Sequence, residues 1–587
     1  MKHLYKFLLL SVIFFSQFNL TKCIVSNSPE PHRIIVSSDI GGTDYDDYQS
    51  MAHLLVYADT FDIEGIISSP YGDGRKEDIL EAVDEYEIDY PKLSAYSNRY
   101  PTADSLRKIV KQGAIENPGP IGYGGPTEGS DWIIECARRN DARPLNILIW
   151  GGIEDLAQAL HDAPDILPKI HVYYIGGPNK KWSVNAYQYI IENYSDLWMI
   201  ESNATYRGWF VGGNQSGEWS NTGFVNTYIK SFGALGDYFY SKGSKMKMGD
   251  TPSLTRLLYG TSDDPTQPSW GGQFVRAWER PHKVFNRTTT VQDSIEQFGV
   301  LELLLPANTD TISNPVATLN IDRSIQALVK DDTVKFLFSP KNPSIYNYTF
   351  SSNIPSINNL EGSITSYQPP ASNKENPSPL YSNWWTDDPS PEYMEDGHIG
   401  VKTVNIWRED FLTDFANRMY RCAYFPNTYF TLNTSAENGT IIRSVDDSVY
   451  KAGTKITLTA VPEDGYEFLQ WDGDVSGTNT EITVTMDTSK TIIARFSKIT
   501  SVQRNNHEKI SVFPTCIHDF VTVLIPDQPQ APKCIDLFNS SGKLLNSYKL
   551  EPEQNNLIIN TYALFPGIFI LRITYDLVLY NKILIKV

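Results

Sequence analysis

The sequence predicts an α/β fold with a mostly parallel sheet and helices on both faces, followed by β-rich modules. From about residue 30 to residue 300, apolar β-branched runs alternate with segments of helical periodicity. An alternating β-α order is typical of a parallel sheet covered by helices on both faces. After residue 300 the pattern changes to short apolar runs between loops rich in Pro, Asn and Ser, which indicates β-sheet modules.

The predicted strands and helices follow one another along the first 300 residues. The first strand, RIIVSS (33–38), precedes a segment in which Met51, Leu54, Leu55 and Ala58 recur at helical spacing. Further strands are predicted at 63–69, 145–152, 171–177 and 196–202, and further helices at 78–87, 153–163 and 184–194. Parallel sheets bind ligands beyond the carboxyl ends of their strands. The candidate ligand-binding segments are therefore 38–47, 69–75, 150–154, 176–182 and 201–206.

The remaining chain is predicted to form β-sandwich-like modules. Short apolar runs such as VLELLL and TVKFLFS end in an amphipathic helix over 407–421. At the other end, a basic N-terminus and the short apolar run 7–15 are typical of a signal peptide. The predicted organisation is a signal peptide over 1–25, an α/β domain over 30–300, a β-rich module over 301–425, and all-β domains over 428–498 and 505–587.

The composition excludes some functions. The formal net charge is −19, from 50 basic and 69 acidic residues, and nucleic-acid binding requires a basic face. Nucleic acid is therefore not an expected partner. The five cysteines, at positions 23, 136, 422, 516 and 534, form no CxxC pair, so no zinc site is expected. Cys136 is predicted to lie in the core, and Cys516 and Cys534 share one module and could pair if oxidised.

An acidic cluster follows the first predicted strand. The segment D-I-G-G-T-D-Y-D-D contains Asp39, Asp44, Asp46 and Asp47 between the strand end and a helix start. Carboxylates packed this densely repel one another unless a cation neutralises them. Oxygen ligands without His or Cys favour Ca²⁺ or Mg²⁺ over zinc. An acidic helix N-terminus is the alternative, but one or two aspartates would be enough for that.

These residues also resemble a known family. SSDIGGTDYDDYQSM is similar to the aspartate motif D-x-D-P-G-x-D-D of nucleoside hydrolases. It resembles more closely the nucleoside-hydrolase-like domain of a cellulose-associated bacterial family, formerly a domain of unknown function. The resemblance covers about residues 30–425. It also rests on the phrases DIEGIISSPYG (62–72), ILIWGGIEDLAQAL (147–160), WSVNAYQYIIENYSDLWMIES (182–202), GDTPSL (249–254), PSWGGQF (268–274) and WREDFLTDFANRM (407–419).

The resemblance implies a nucleoside-hydrolase-like fold and specific residue roles. Asp39 and Asp47 correspond to calcium ligands, Asp46 to the general base, and Asp250 to a distal ligand that completes the site. The backbone carbonyl of Trp150 corresponds to a further ligand. On ligand chemistry alone, magnesium remains an alternative to calcium.

The sequence departs from nucleoside hydrolases around the substrate. Gly249 stands where those enzymes place a histidine next to the leaving base. Asp73, Asn179 and Asn185 are candidate hydrogen-bonding partners of a sugar, with turn and helix-cap roles as the alternatives. Trp182 is a candidate for stacking on a sugar ring, as are Trp384 and Trp385 in the loop-like stretch NWWTDDP, with core packing as the alternative.

The last two modules resemble accessory domains. GYEFLQWDGD (465–474) resembles a bacterial β-repeat, whose small core would contain Tyr466, Phe468 and Trp471. SVFPTCIHDFVTV and the later strands of 505–587 resemble the C-terminal sorting domain of type IX secretion substrates. Together with the signal peptide, this resemblance implies secretion or attachment at the outer-membrane surface, with the type IX secretion machinery as a partner.

Three functions are consistent with the sequence. The first is a secreted, calcium-dependent hydrolase of glycosyl bonds that acts on a small-molecule nucleoside or sugar, or on a polysaccharide. The second is a non-catalytic carbohydrate- or cellulose-binding surface protein, and the third is a surface adhesin. The Asp39, Asp46, Asp47 and Asp250 set favours the first.

Overall fold

The computed structural model describes residues 30–42, 44–69, 75–117, 119–279, 282–310, 312–499, 511–524, 534–540, 542–549, 556–574 and 579–586. These residues form two compact units. The first contains the described residues up to Phe430 together with Lys451–Gly453, and the second contains Thr431–Tyr450 and the described residues from Thr454 onward.

The first unit contains all the α-helices that the structure describes. They are α1 (Asp46–Val56), α2 (Lys76–Tyr96), α3 (Ala103–Ile109), α4 (Glu128–Ala137), α5 (Glu154–Asp162), α6 (Gly177–Trp182), α7 (Val184–Asn193), α8 (Asn221–Phe224), α9 (Gly233–Lys242), α10 (Thr251–Thr255), α11 (Lys402–Asn405) and α12 (Arg408–Ala423). Its strands are β1 (Arg33–Ser38), β2 (Asp62–Ser68), β3 (Val110–Gln112), β4 (Leu145–Ile149), β5 (Ile170–Ile175), β6 (Trp198–Ser202), β7 (Phe274–Arg276), β8 (His282–Phe285), β9 (Ser294–Glu296), β10 (Val300–Pro306), β11 (Ala317–Asn320), β12 (Ser324–Gln326), β13 (Leu328–Lys330), β14 (Thr333–Phe338), β15 (Ile345–Ser352), β16 (Glu361–Tyr367), β17 (Trp384–Asp387) and β18 (Tyr429–Phe430).

An eight-stranded sheet is the centre of the first unit. Its strand order is β3-β2-β1-β4-β5-β6-β17-β7, and only the edge strand β7 pairs antiparallel to its neighbour. Successive side chains of a strand point to opposite faces. Ile34 and Val36 of β1 accordingly enter the core beneath α1, α2, α9 and α12, whereas Ile35 enters the opposite core beneath α4, α5 and α7. The predicted mostly parallel α/β sheet with helices on both faces is confirmed.

One strand of this sheet corrects a sequence prediction. Trp384 and Trp385 were candidates for stacking on a sugar from a loop-like stretch, with core packing as the alternative, and they form β17 between β6 and β7. Trp384 is fully buried, and Trp385 is 8% exposed. These two side chains therefore pack in the cores and are not available to stack on a sugar. A short strand flanked by Pro, Asn and Ser resembles a loop in sequence. Its pairing partners are distant along the chain, so no local hairpin pattern marks it as a strand.

A β-sandwich follows the eight-stranded sheet. Its sheets have the orders β13-β14-β10-β8 and β12-β11-β15-β16-β9. The side chains between them, including Leu303, Phe336 and Phe350, form a separate hydrophobic core.

A buried ion pair joins this sandwich to the α/β sheet. Lys180 of α6 and Glu201 of β6 bond to each other, and both side chains are fully buried. Lys180 Nζ also donates to the carbonyl oxygen of Phe298, 3.0 Å away, just before β10. Glu201 accepts further hydrogen bonds from Tyr187 Oη at 2.8 Å and Asn203 Nδ2 at 2.9 Å. The pair therefore fixes α6, which borders the candidate site, against both layers.

The second unit is built from β-strands. They are β19 (Leu432–Ala436), β20 (Gly439–Arg443), β21 (Tyr450–Lys451, which ends in the first unit's segment), β22 (Lys455–Pro462), β23 (Tyr466–Gly473), β24 (Glu481–Thr485), β25 (Lys490–Lys498), β26 (Ser511–Phe513), β27 (Cys516–Ile517), β28 (Phe520–Leu524), β29 (Cys534–Asn539), β30 (Leu544–Tyr548), β31 (Asn556–Asn560), β32 (Gly567–Thr574) and β33 (Leu579–Lys586). Of the predicted β-repeat core, Trp471 is buried, whereas Tyr466 and Phe468 are half-buried.

Cys136 is buried in α4, as predicted, and Cys516 and Cys534 are both free thiols in this structure. Within the described ranges, no helix has the length and apolar character needed to cross a membrane. The predicted signal peptide lies outside the described residues.

Candidate metal centre

The acidic cluster begins where β1 ends. Asp39 directly follows Ser38, and the amide of Gly42 donates to the carbonyl oxygen of Asp39 at 3.0 Å, which closes a tight turn. Gly41 has φ +87°, a conformation that glycine adopts without steric cost. Helix α1 then starts with Asp46 and Asp47 in its first turn. The strand end and the helix start therefore bring three carboxylates to one edge of the sheet.

Asp250 joins this cluster from the residue before α10. One carboxylate oxygen from each of Asp46, Asp47 and Asp250 lies within 4.8 Å of the others. The side chain of Asp39 forms a hydrogen bond with that of Asp47. Ser38 Oγ donates to Asp47 Oδ1 at 2.5 Å and so orients it. The structure thus brings together all four aspartates that the sequence grouped, across about 200 residues of chain.

Burial makes this cluster costly as an array of negative charges. Burial is the largest cause that raises the pKa of Asp39 to about 7 and that of Asp46 to about 8, and in Asp46 the charge of Asp47 adds to it. The pKa values of Asp47 and Asp250 are raised well above the usual range, first by burial and then by neighbouring carboxylates. Protons or a bound cation must therefore compensate the charge near neutral pH.

The donor set fits a hard cation. Asp47 is 4% exposed and Asp250 is 3% exposed. Asp250 Oδ2 is buried and has no hydrogen-bond partner among the described residues. A buried carboxylate oxygen without a hydrogen-bond partner is unfavourable unless a cation or a water molecule binds it. Every donor in the cluster is an oxygen, which suits calcium or magnesium.

Trp150, the predicted backbone ligand, lies beside this cluster. Its amide donates to the carbonyl oxygen of Ser37 at 2.7 Å, and its indole donates to Ser253 Oγ at 2.8 Å. The Trp150 carbonyl oxygen accepts a hydrogen bond from Asn179 Nδ2 at 2.9 Å, which leaves its second lone pair for a ligand. Asn179 Nδ2 also donates to the carbonyl oxygen of Ile175 at 3.0 Å. Asn179 therefore braces the ends of β4 and β5 through its side-chain nitrogen.

Two glycines allow the chain to approach the carboxylates closely. A Cβ atom on Gly151 would lie 2.5 Å from Asp39 Cβ, and one on Gly249 would lie 2.6 Å from Asp46 Oδ2. A histidine at position 249 would therefore displace Asp46. Glycine in place of the histidine of the nucleoside-hydrolase motif therefore has a physical reason in this chain. The Asp46 carboxylate occupies the space that a histidine side chain at position 249 would need.

Basic side chains line a cavity together with the carboxylates. This cavity has a volume of about 310 Å³ and contains Arg207, Lys247 and Lys341 as well as the four clustered aspartates. Lys247 pairs with Asp44, the remaining acidic residue of the cluster segment. The charge of Arg207 lowers the pKa of Asp46, although burial outweighs it. The carboxylates therefore face cations that partly offset their charge.

A second cavity adjoins the first. It has a volume of about 510 Å³, and Asp39, Asn179 and Trp182 line both cavities. Glu154, in the first turn of α5, faces the second cavity, and burial raises the pKa of its carboxyl group. Arg323 from the β-sandwich reaches the same cavity and lies over the ring of Trp182, 5.2 Å from its centroid. The sandwich therefore completes a wall of the candidate site.

The other predicted substrate contacts have different positions. Asn185 lies in α7 and is among the lining residues of neither cavity. Asp73 lies outside the described residues. Trp182 lines both cavities, and its roles and those of Asn179 stay predictions.

Two segments of the chain match models of known protein families. Residues 33–274 match the model of the family described as "Cellulose-binding Sde182, nucleoside hydrolase-like domain". This nucleoside-hydrolase-like domain contains the Asp39, Asp46, Asp47 and Asp250 cluster. Residues 430–500 match the model of the divergent InlB B-repeat domain, which agrees with the resemblance predicted for 428–498. The resemblance of 505–587 to a sorting domain stays a prediction.

Solved structures similar to the chain include nucleoside hydrolases. A nucleoside hydrolase-related protein from Saccharophagus degradans, described as associated with carbohydrate metabolism, is 15% identical. That match covers 95% of this chain and 99% of the other, with a TM-score of 0.41. A plant nucleoside hydrolase is 14% identical, with coverages of 38% and 77% and a TM-score of 0.26. The inosine-uridine preferring nucleoside hydrolase from Bacillus anthracis is 14% identical, with coverages of 53% and 95% and a TM-score of 0.26. No curated protein matches the chain.

Several residues of the site were not predicted from the sequence. Glu154 and Tyr206 fall within segments expected at the strand ends, so the topology pointed to their neighbourhood but not to them individually. Lys341 and Arg323 lie on loops of the β-sandwich, and Lys247 lies on a loop about 200 residues after the acidic motif, so folding alone brings them to the cavities. No local pattern marks such residues.

Proposed function

We propose that the protein is a calcium-dependent hydrolase of glycosyl bonds that acts on a nucleoside or a carbohydrate-derived substrate. The observation that supports this most strongly is the cluster of Asp39, Asp46, Asp47 and Asp250 beyond the strand ends, in which Asp47 and Asp250 are buried and Asp250 Oδ2 has no hydrogen-bond partner among the described residues. The similarity of residues 33–274 to a nucleoside-hydrolase-like family adds to it.

The proposed binding roles follow from the position of each group. Asp39, Asp47 and Asp250 would hold the ion together with the Trp150 carbonyl oxygen. Calcium, when bound, would supply positive charge that keeps the carboxylates ionised and makes a nearby water more acidic. Ser38 keeps Asp47 oriented through the hydrogen bond at 2.5 Å. Asn179 and Trp182 would contact the sugar where the two cavities meet.

Asp46 is the proposed general base. It lies at the start of α1, within 4.8 Å of the Asp47 and Asp250 oxygens. It would accept a proton from the water that attacks the anomeric carbon as the bond to the leaving group breaks. Arg207, whose charge favours the ionised form of Asp46, would help to keep it deprotonated. Gly249 has no side chain that could donate a proton, so the leaving group receives no proton from position 249.

Export is part of the proposal. A signal peptide over 1–25 and a sorting domain over 505–587 would place the protein outside the cell or on the outer-membrane surface. Its substrates would then be extracellular sugars, nucleosides or polysaccharides.

The proposal is tested by replacing the base. We expect Asp46→Asn to lower turnover by about 10²–10⁴-fold while calcium still raises the thermal midpoint. The measurement is product release from a panel of nucleosides and oligosaccharides, with calcium-dependent thermal shift in parallel. Asp104→Asn, in the exposed first turn of α3, is the matched control. Turnover that is unchanged in Asp46→Asn would refute the assignment.

Non-catalytic carbohydrate binding is the second candidate. It is favoured by Gly249, which stands in the place of a histidine, and by the cellulose-binding description of the matching family. Under this alternative, oligosaccharides raise the thermal midpoint, but no product is released from any of them by the wild-type protein.

A further inference from the structure

Two basic side chains in the cavity of the carboxylate cluster have no paired carboxylate. Arg207, Lys247 and Lys341 all line this cavity, and Lys247 forms an ion pair with Asp44. By contrast, neither Arg207 nor Lys341 forms an ion pair with any residue in the described part of the chain. The charge of Arg207 acts on Asp46 without a direct ion pair. The cavity therefore contains two cationic groups that remain available to an anionic ligand.

Arg207 is positioned by the chain that follows β6. It lies in the short 3₁₀ helix Thr205–Trp209, three residues along from the first residue after the end of the strand. Its guanidinium group lies over the ring of Tyr206, 5.1 Å from the centroid. Arg207 Nε is buried and has no hydrogen-bond partner among the described residues. A buried N–H group without an acceptor is unfavourable, and an oxygen atom of a ligand would satisfy it.

Lys341 reaches the same cavity from the β-sandwich, where it lies on the loop between β14 and β15. Its carbonyl oxygen accepts a hydrogen bond from Gln297 Nε2 at 2.8 Å. The carbonyl oxygen of Pro340 accepts a second one from the amide of Phe298 at 2.9 Å. These bonds hold the backbone of the loop, so a ligand that binds Lys341 does not have to order the loop first.

The charges that act on Lys341 are mainly positive. Burial is the largest cause that lowers the pKa of Lys341, and the charges of Arg207 and then Lys181 lower that pKa further. The charge of Asp322 raises it, but Asp322 Oδ2 lies 2.7 Å from Lys181 Nζ and so is already paired. Lys341 therefore experiences an excess of positive charge, which an anion bound beside it would reduce.

We propose that Arg207 and Lys341 form a subsite for an anionic group of the substrate, a carboxylate or a phosphate. The subsite rests on the proposed hydrolase and names the class of glycosyl substrate that its cavity accepts. A planar guanidinium group can bind either anion through two hydrogen bonds, and an ammonium group adds a point charge. The carboxylate cluster does not oppose such a substrate, because protons or a bound cation compensate its charge. A neutral sugar lacks the anionic oxygens that would offset both basic groups.

The test compares sugars that differ by one anionic group. Ribose 5-phosphate is paired with ribose, and glucuronic acid with glucose, and each is titrated by calorimetry into the full-length protein with calcium present. None of the four has a glycosyl bond, so turnover does not disturb the titration. We expect the anionic member of at least one pair to bind about tenfold or more tightly than its neutral partner. Added salt should weaken this preference by screening the charges. The pair with the larger preference identifies the anion as a phosphate or a carboxylate.

Variants of the two basic residues connect the preference to the subsite. Lys341→Met and Arg207→Met should each lose most of the preference while they bind the neutral sugar as the wild type does. Lys341→Arg keeps the positive charge and should keep the preference. Lys341 is exposed on its loop, so its variants should fold even if Arg207→Met does not. Lys330→Met, at a lysine of β13 that is 74% exposed and is among the lining residues of neither cavity, is the matched control.

The subsite and the proposed hydrolase fail in different ways. Equal binding of both members of each pair would overturn the subsite, as would a preference that Lys341→Met and Arg207→Met leave unchanged. A preference that disappears with a chelator but persists in both variants assigns the anion to the bound ion and also overturns the subsite. Unchanged turnover in Asp46→Asn refutes the assigned base and leaves these titrations as they are. Loss of turnover in Asp46→Asn with the preference retained supports both proposals.

Discussion

At the scale of single residues, the carboxylate cluster has a cost in stability that a bound cation would offset. Asp47 and Asp250 are almost fully buried, and burial disfavours their charged forms. A chain selected for stability alone would not place four carboxylates together beyond the ends of its strands. The unpartnered Asp250 Oδ2 fits the same interpretation, since a cation would satisfy it.

Protons and calcium should compete for this cluster. The pKa values of Asp39, about 7, and Asp46, about 8, lie above the usual range for a carboxyl group. Below those values the groups hold protons that calcium must displace, so calcium affinity should rise as the pH is raised through 7 and 8. At pH 7, calcium binding should release protons. Calorimetry in two buffers of different ionisation enthalpy measures that release. A pH-independent affinity with no proton release would contradict the assigned ligands.

The sequence predicted the acidic half of the site but not its basic half. Asp39, Asp46 and Asp47 share one short motif between a strand and a helix, and that motif is visible locally. Asp250 required a family resemblance, because about 200 residues separate it from the motif. Lys341 and Arg323 come from the β-sandwich, and only the fold shows that they face the same cavities.

At the scale of elements, periodicity predicted the regular core of the sheet well. Predicted strands at 33–38, 145–152 and 171–177 correspond to β1, β4 and β5. The predicted helix 407–421 corresponds to α12, which is shifted by one residue at its start and two at its end. The missed strand, β17, pairs with β6 although about 180 residues separate them. Its pattern is short, and both of its faces are buried, so no alternation marks it.

The ion pair between α6 and β6 should be essential to this arrangement. Glu201→Leu would leave the fully buried charge of Lys180 without its carboxylate, and Tyr187 Oη and Asn203 Nδ2 without their acceptor. We expect a loss of about 3–5 kcal/mol in the free energy of unfolding, measured by urea denaturation. Asp322→Asn removes the neighbouring pair with Lys181, which is partly exposed, and should cost about 1 kcal/mol or less. Equal losses in both variants would show that burial of the pair is not what matters.

At the scale of the whole molecule, the candidate binding sites are concentrated in the first unit. The candidate metal centre and the adjoining cavity both lie in it. The described part of the second unit is a series of small β-sheets. Under the proposed function, the modules of the second unit would carry the binding and catalytic part to the cell exterior.

The two units should therefore unfold in separate transitions, only one of which responds to calcium. A ligand that binds only the folded state raises stability by RT ln(1 + [L]/Kd), or about 2.7 kcal/mol at a hundredfold excess over Kd. Calorimetry of the full chain should show one transition that moves to higher temperature with calcium and another that does not move. A fragment of residues 30–430 should keep the calcium-sensitive transition alone. In Asp250→Asn the calcium shift should shrink, because the distal ligand is lost, while the second transition stays in place. A calcium shift of both transitions would indicate that the ion also binds the second unit. A calcium shift of the same size in Asp250→Asn as in the wild type would show that the ion binds elsewhere.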